Sequence, residues 1–356
     1  MAIRFDHVTS RREGADLRRS IALDALDLEL RPGRFIAVLG APGSGKSTML
    51  QHLNGLLLPD EGTVDVFEFR LQSQSLAGSG KGAGGSPGSE AGGGAGGGAR
   101  AGASAGKRRL FGRRKRAKDP AVPAGLRKRV GLVFQFPEQQ LFEETVRRDL
   151  MFGPLNFGLG EAEAAAAADK AAQELGLDEE LLEQGPFDLS GGQMRKAAIA
   201  AVLAAEPDVL ALDEPASSLD QASREELMQL LRDWCDRRGK TIVIVTHRLE
   251  EVLPYADEYV VIDRGRNEYQ GDAATLLRRP EIMAKAGVLA PASARLLAGA
   301  AERAGAGIVP PASYLDPDSA AAWIMQLLAA GREGADSATV SAEGEVCRTS
   351  RTLVNS

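Results

Sequence analysis

Short apolar runs separated by glycine-rich or acidic turns dominate the hydrophobic pattern of this chain. Phe35 to Leu39, Val209 to Leu212 and Thr241 to Val245 are apolar at every position or nearly so, which predicts strands buried on both faces. Ile3 to Phe5 and Ile21 to Leu30 mix apolar and polar residues and predict antiparallel strands leading into the strand at Phe35. Gly62 to Phe69 and Arg129 to Phe134 add further strand candidates. Helices are expected from about Lys46, over the Ala-rich Glu161 to Leu175, over Gln193 to Ala205 and over the amphipathic Arg224 to Arg237. Strands alternating with helices argue for an α/β fold, a mostly parallel sheet covered on both faces. After Gly271 the pattern changes to short Ala- and Leu-rich helices, of which Trp323 to Leu328 is the most apolar, and positions beyond about 333 read as a frayed tail.

Composition changes this picture in one region. Residues 71–106 hold 14 of the 41 glycines and almost no large apolar side chain, so disorder is expected there. A basic run follows: from Lys107 to Arg129 eleven Lys/Arg face one acid, in a chain whose net charge is −6. Its bland interpretation is a solvated loop, and its sharper one a contact with anionic lipid or RNA. Cys235 and Cys347 match no metal spacing and suit a reducing compartment. The longest apolar stretch, Ala197 to Ala205, is too short to span a bilayer, so a membrane role is expected to come through a partner.

The chemistry starts at Gly40-Ala41-Pro42-Gly43-Ser44-Gly45-Lys46-Ser47-Thr48, set between a predicted strand and a predicted helix. Glycines let the backbone curl so that several N–H groups point at one spot, and the helix adds its positive dipole end. Lys46 can reach β- and γ-phosphates, and Ser47 can hold Mg²⁺, so a nucleoside triphosphate is expected. Downstream, the strand Val209 to Leu212 ends in Asp213 and Glu214. Asp213 can hold Mg²⁺ through water, and Glu214 can polarise an attacking water. Ser190-Gly191-Gly192-Gln193 opens a helix and makes a second anion-binding terminus, which suggests a dimer where it covers phosphate held by the other chain. Gln135 and His247 each follow a strand, where ligands bind in open α/β sheets. The Gln135 amide can touch Mg²⁺ and the attacking water, and His247 can bond the γ-phosphate. Asp220 can cross the dimer interface or cap the helix that follows it.

These motifs, in this order, resemble the nucleotide-binding subunits of ABC transporters, over roughly residues 3–290. The stretches VGLVFQFPEQQLFEETVRRDLMFGPLNFG from Val130 and LSGGQMRKAAIAAVLA from Leu189 resemble the energy-coupling-factor importer ATPases, and FPEQQLFEETV the second of two paralogues that form a heterodimer. The resemblance implies an ABC ATPase over 1–270, interrupted by the 71–118 insertion. It implies an antiparallel β subdomain, a helical subdomain at about 137–200, a C-terminal dimerisation extension at 271–332 and a tail at 333–356. It also implies an ATP sandwich with the paralogue or a second copy of this chain. A transmembrane subunit would dock near Phe134–Phe157, where five of the eleven phenylalanines fall, and through it a vitamin-binding membrane subunit would be reached. The expected location is the cytoplasmic face of the membrane, with no specific nucleic acid partner. A cobalt or nickel importer is the near alternative, and a soluble ABC ATPase acting on ribosomes or DNA the distant one. The sequence departs from the family in lacking an aromatic residue between Phe5 and Phe35 to stack on adenine, which leaves Arg12 as the candidate.

Overall fold

The computed structural model describes residues 3–13, 19–73, 124–217, 219–289, 291, 295, 318 and 321–326. The 71–118 insertion beyond residue 73, most of the segment after 289 and the tail at 333–356 lie outside them. Strands β1 (Ile3–Glu13), β2 (Arg19–Leu30), β4 (Glu61–Val66) and β5 (Phe69–Gln72) form an antiparallel sheet in the order β2-β1-β4-β5. A second sheet holds β3 (Phe35–Leu39), β6 (Val130–Val133), β7 (Val209–Asp213), β8 (Thr241–Thr246), β9 (Glu258–Asp263) and β10 (Arg266–Gly271). Its order is β10-β9-β3-β8-β7-β6, parallel throughout except for the β9–β10 edge.

Period-2 side-chain alternation divides the strands of this second sheet between two cores. Phe35, Ala37, Leu39, Leu210, Leu212, Ile242 and Ile244 pack on one face. Ile36, Val38, Val209, Ala211, Val243 and Val245 pack on the other, against β1, β2 and β4 through Phe5, Leu23, Leu28 and Val64. The two faces explain why β3, β7 and β8 are almost without polar side chains. One strand expectation changes: Gly62 to Phe69 is not a single strand. The chain reverses after Val66, with Phe67 at φ +57° in the turn, so Val66 pairs with Phe69.

Helices fill the remaining positions. α1 (Lys46–Leu53) follows β3, and α2 (Ala124–Arg129) leads into β6. α3 (Val146–Asn156), α4 (Glu161–Glu174), the short α5 (Glu179–Leu182) and α6 (Gly191–Leu203) come between β6 and β7. α4 buries Ala164, Ala168, Ala171 and Ala172, small side chains that bring its backbone close to its neighbours. α7 (Gln221–Arg238), α8 (Leu249–Val252), α9 (Ala273–Leu277) and α10 (Pro280–Lys285) follow. Among the described residues no helix is long and apolar enough to cross a membrane. The four neighbouring strands β3, β8, β7 and β6 end on one side of the sheet, and their carboxyl ends lead to Gly40, His247, Glu214 and Gln135.

Candidate functional site

Backbone shape makes the loop after β3 possible. Gly40 sits at φ +153°, where a Cβ would stand 2.2 Å from the Ile262 carbonyl oxygen, and Gly45 at φ +108°, where one would stand 2.4 Å from that of Ala22. Side chains cannot be placed at either position. The Ser44 N–H donates to Ala41 O at 3.1 Å and Ser44 O accepts from Gly265 N–H at 2.8 Å, which ties the loop to itself and to the β9–β10 turn. Lys46 is buried, and its Nζ donates to Gly40 O at 2.7 Å and Ala41 O at 2.8 Å. Burial pushes this ammonium below its usual pKa, against the opposing pull of Glu214 and Asp213. The Ser44 hydroxyl is buried without a partner, and no side chain caps the start of α1. A buried cation, an orphaned hydroxyl and uncapped N–H groups share a need for an anion, and a triphosphate fits it.

The carboxylates lie beside this loop. The Ser47 hydroxyl lies beside Asp213, whose pKa is raised by burial and pulled back by that hydroxyl. Two hard oxygen donors side by side fit Mg²⁺. Glu214 takes φ +48°, a region costly for a non-glycine residue, and its N–H donates to Val245 O at 2.9 Å. This strained backbone puts Glu214 Oε1 2.9 Å from His247 Nδ1. The lysine, the carboxylate pair and the histidine expected from the sequence thus converge.

The other candidates divide. Gln135 is exposed two residues beyond β6, and its carbonyl accepts from Arg195 Nη2 at 3.5 Å. Asp220 caps α7, accepting from Ser223 N–H at 3.0 Å, a bond that lowers its pKa. Arg12 Nη2 donates to Gln51 on α1 at 3.2 Å. Ser190 and Gln193 close a reciprocal capping box at 3.0 and 3.3 Å. Gly191 and Gly192 are exposed, and a Cβ at either would meet nothing within 4 Å, so this chain alone supplies no reason for glycine there.

Arg195 was not among the expected residues. It is buried in α6, near Pro215 O, Gln135 O and Glu138 Oε2 at 3.5 Å each, so one guanidinium touches the glutamine loop and the segment after Glu214. Nothing in the sequence marks it, since a second cation, Lys196, follows it before the apolar run Ala197 to Ala205 begins. Near Gln135, Phe142 and Phe152 stack edge to face, 4.8 Å between centroids, and both stay exposed. Buried Asp149 holds the loop below them, accepting from Phe142 N–H at 3.1 Å and Glu143 N–H at 3.2 Å, and burial raises its pKa. These rings border a cleft of about 390 Å³ that also includes Leu56, Phe134, Phe157 and Val202.

An ABC transporter family model matches residues 23–84 and 107–217. The chain resembles the cbiO1 structure from Clostridium perfringens, described as part of the ABC transporter complex cbiONQ, with a TM-score of 0.57 and 28% identity over 83% of this chain and 98% of that one. It also shares the fold of the ATP-binding cassette MJ0796 in a dimeric post-hydrolysis state with ADP and Pi, with a TM-score of 0.56 and 23% identity over 76% of this chain and 98% of that one. Two packed sheets with a phosphate loop facing paired carboxylates define the class: an ATP-binding cassette ATPase, which binds and hydrolyses ATP.

Curated relatives narrow the class. The energy-coupling factor transporter ATP-binding protein EcfA2 of Bacillus cereus is 38% identical over 331 residues, 93% of this chain and 98% of that protein. Its counterpart in Geobacillus kaustophilus is 39% identical over 306 residues, 86% of this chain and 90% of the relative. The chain belongs to the family of energy-coupling factor transporter ATP-binding proteins, and within it resembles the second paralogue.

Proposed function

We propose that two ATPase chains close on ATP and that closure drives import through a membrane subunit. The single observation that carries the hydrolytic part is the 2.9 Å approach of His247 Nδ1 to Glu214 Oε1 beside buried Lys46. The loop from Gly40 to Thr48 holds the phosphates, with Lys46 balancing their charge. Ser47, Asp213 and the Gln135 amide would hold Mg²⁺, which supplies further charge neutralisation on the phosphates when bound. Glu214 takes a proton as water attacks the γ-phosphorus; the bond to the bridging oxygen breaks, and ADP and phosphate leave. His247 orients Glu214 and donates to the γ-phosphate. Ser190, Gly191, Gly192 and Gln193 complete the partner's site, with Asp220 at the same interface, and Arg12 faces the base.

The open surface at Gly191 and Gly192 leaves room for a group from outside the chain, which supports the two-chain arrangement. The exposed rings of Phe142 and Phe152 support docking of a membrane subunit at 134–157, with a substrate-binding membrane subunit reached through it. On this reading the chain works at the cytoplasmic face of the membrane, in the import of a vitamin or another micronutrient. The relatives carry the energy-coupling factor name, which favours this over the cobalt or nickel alternative. The test is Glu214→Gln: ATP turnover falls at least about a hundredfold while ATP binding persists and a closed dimer accumulates. Unchanged turnover overturns the proposal.

A further inference from the structure

Glu251 lies in α8 with its side chain only 7% exposed. A carboxylate so buried is costly unless cations and donors face it. Arg224 Nε stands 3.3 Å from its Oε1 and Arg248 Nη1 3.0 Å from the same oxygen. The Thr246 hydroxyl donates to Oε2 at 3.4 Å.

These partners come from two different segments, Arg224 from α7 and Thr246 and Arg248 from the end of β8 and the turn after it. Thr246 and Arg248 flank His247, and the Arg248 N–H donates to Thr246 Oγ1 at 3.1 Å, which locks the turn around the imidazole. Arg224 reaches the other way: its Nη2 donates to Leu219 O at 3.0 Å, one residue before Asp220 in the segment leaving Glu214. Glu251 Oε1 and Arg224 Nε are buried without a well-directed hydrogen bond, so charge rather than bond direction holds them together.

We infer that Glu251 is a positioning residue for hydrolysis: its charge, held between Arg224 and Arg248, fixes His247 against Glu214 and keeps the Leu219–Asp220 turn in the same frame. A displacement of the imidazole by a fraction of an ångström weakens the chemical step and leaves phosphate binding at Lys46 untouched. The inference rests on Glu214 and His247 being the hydrolytic pair.

The experiment is Glu251→Gln in the full chain, within its two-chain unit, because glutamine keeps the shape and removes the charge. The expected result is a fall in kcat of about tenfold with KM for ATP held within about twofold. Glu251→Asp, which keeps the charge, recovers part of the loss. The chain has three histidines, so imidazole NMR resolves them: the His247 signals move, and those of His7 and His52 stay. Arg248→Gln lies at a more exposed position and lowers kcat in the same direction, by about threefold, without threatening the fold. Wild-type kcat in Glu251→Gln overturns the inference. So does a collapse of all three histidine signals in Glu251→Gln while Arg248→Gln turns over normally, which marks a purely structural ion pair. If Glu214→Gln retains turnover, the underlying hydrolytic assignment fails instead.

Discussion

Ser47, in the first turn of α1, comes close enough to Asp213 at the end of β7 to pull its pKa down, although β8 lies between the strands that carry them. This approach sets the phosphate loop beside the carboxylate pair. Burial raises the Asp213 pKa, so the folded chain keeps this proton more tightly than the unfolded one. The cost of the bare carboxylate is absent below the ordinary carboxylate pKa, grows as pH climbs through the raised folded value and is full at neutral pH. Asp213→Asn therefore raises the Tm of the ligand-free chain at pH 7 by about 2 °C. It also abolishes the extra stabilisation that Mg²⁺ adds to ATP in thermal melts. The gain in Tm disappears near pH 3, where both forms are neutral.

Two pairs of glycines separate nucleotide binding from dimer closure. Gly40→Ala puts a Cβ against the Ile262 carbonyl and lowers ATP affinity at least about a hundredfold by calorimetry. Gly191→Ala meets nothing in its own chain, so ATP affinity and Tm stay near wild type. In a Glu214→Gln background, light scattering then shows loss of the ATP-dependent dimer.

Removing Arg195 leaves Glu138 without its cation. Arg195→Met destabilises the chain by roughly 2–3 kcal/mol in urea unfolding, short of the cost at a fully buried pair because Glu138 stays 29% exposed. ATPase activity falls with it, since the same guanidinium touches the carbonyls of Gln135 and Pro215.

Phe142→Asp charges the exposed ring edge while Asp149 still holds the loop beneath it. Basal ATPase activity is expected to hold within about twofold, and co-purification with the membrane subunit to be lost. Retained co-purification would move the docking surface elsewhere.

The family model passes from residue 84 to residue 107 and omits the glycine-rich stretch between them. Deleting 85–106 leaves ATP turnover within about twofold, because loop length enters stability only logarithmically. Loss of hydrolysis in that variant would give the insertion a role in the core.

β3, β7 and β8 are legible in the sequence because burial on both faces leaves them almost without polar side chains, as in Phe35 to Leu39, whereas β9 and β10, with Glu258, Asp263 and the polar run Arg266 to Glu268, are not among the expected strands. The phosphate loop is legible because Gly40, Lys46 and Ser47 act within one continuous segment. The β4–β5 turn is not, because apolar residues carry on through Val66-Phe67-Glu68-Phe69 and a phenylalanine takes the left-handed position where Gly or Asn would announce a turn. α3 is hidden by Gly153 and Pro154 in its last turn. Arg195 and Glu251 escape for a different reason. Each draws its meaning from partners brought near by folding, and a single cation or acid in a helix carries no spacing to recognise.

Gly40, His247, Glu214 and Gln135 follow four adjacent parallel strands, so the chemistry is set out as a row about 14 Å long along one rim of the sheet. A row, unlike a cavity, has no wall of its own on its open side. Water exclusion and the timing of product escape therefore depend on whatever surface comes to rest along that rim, and a force that pulls that surface away acts directly on the release of ADP and phosphate.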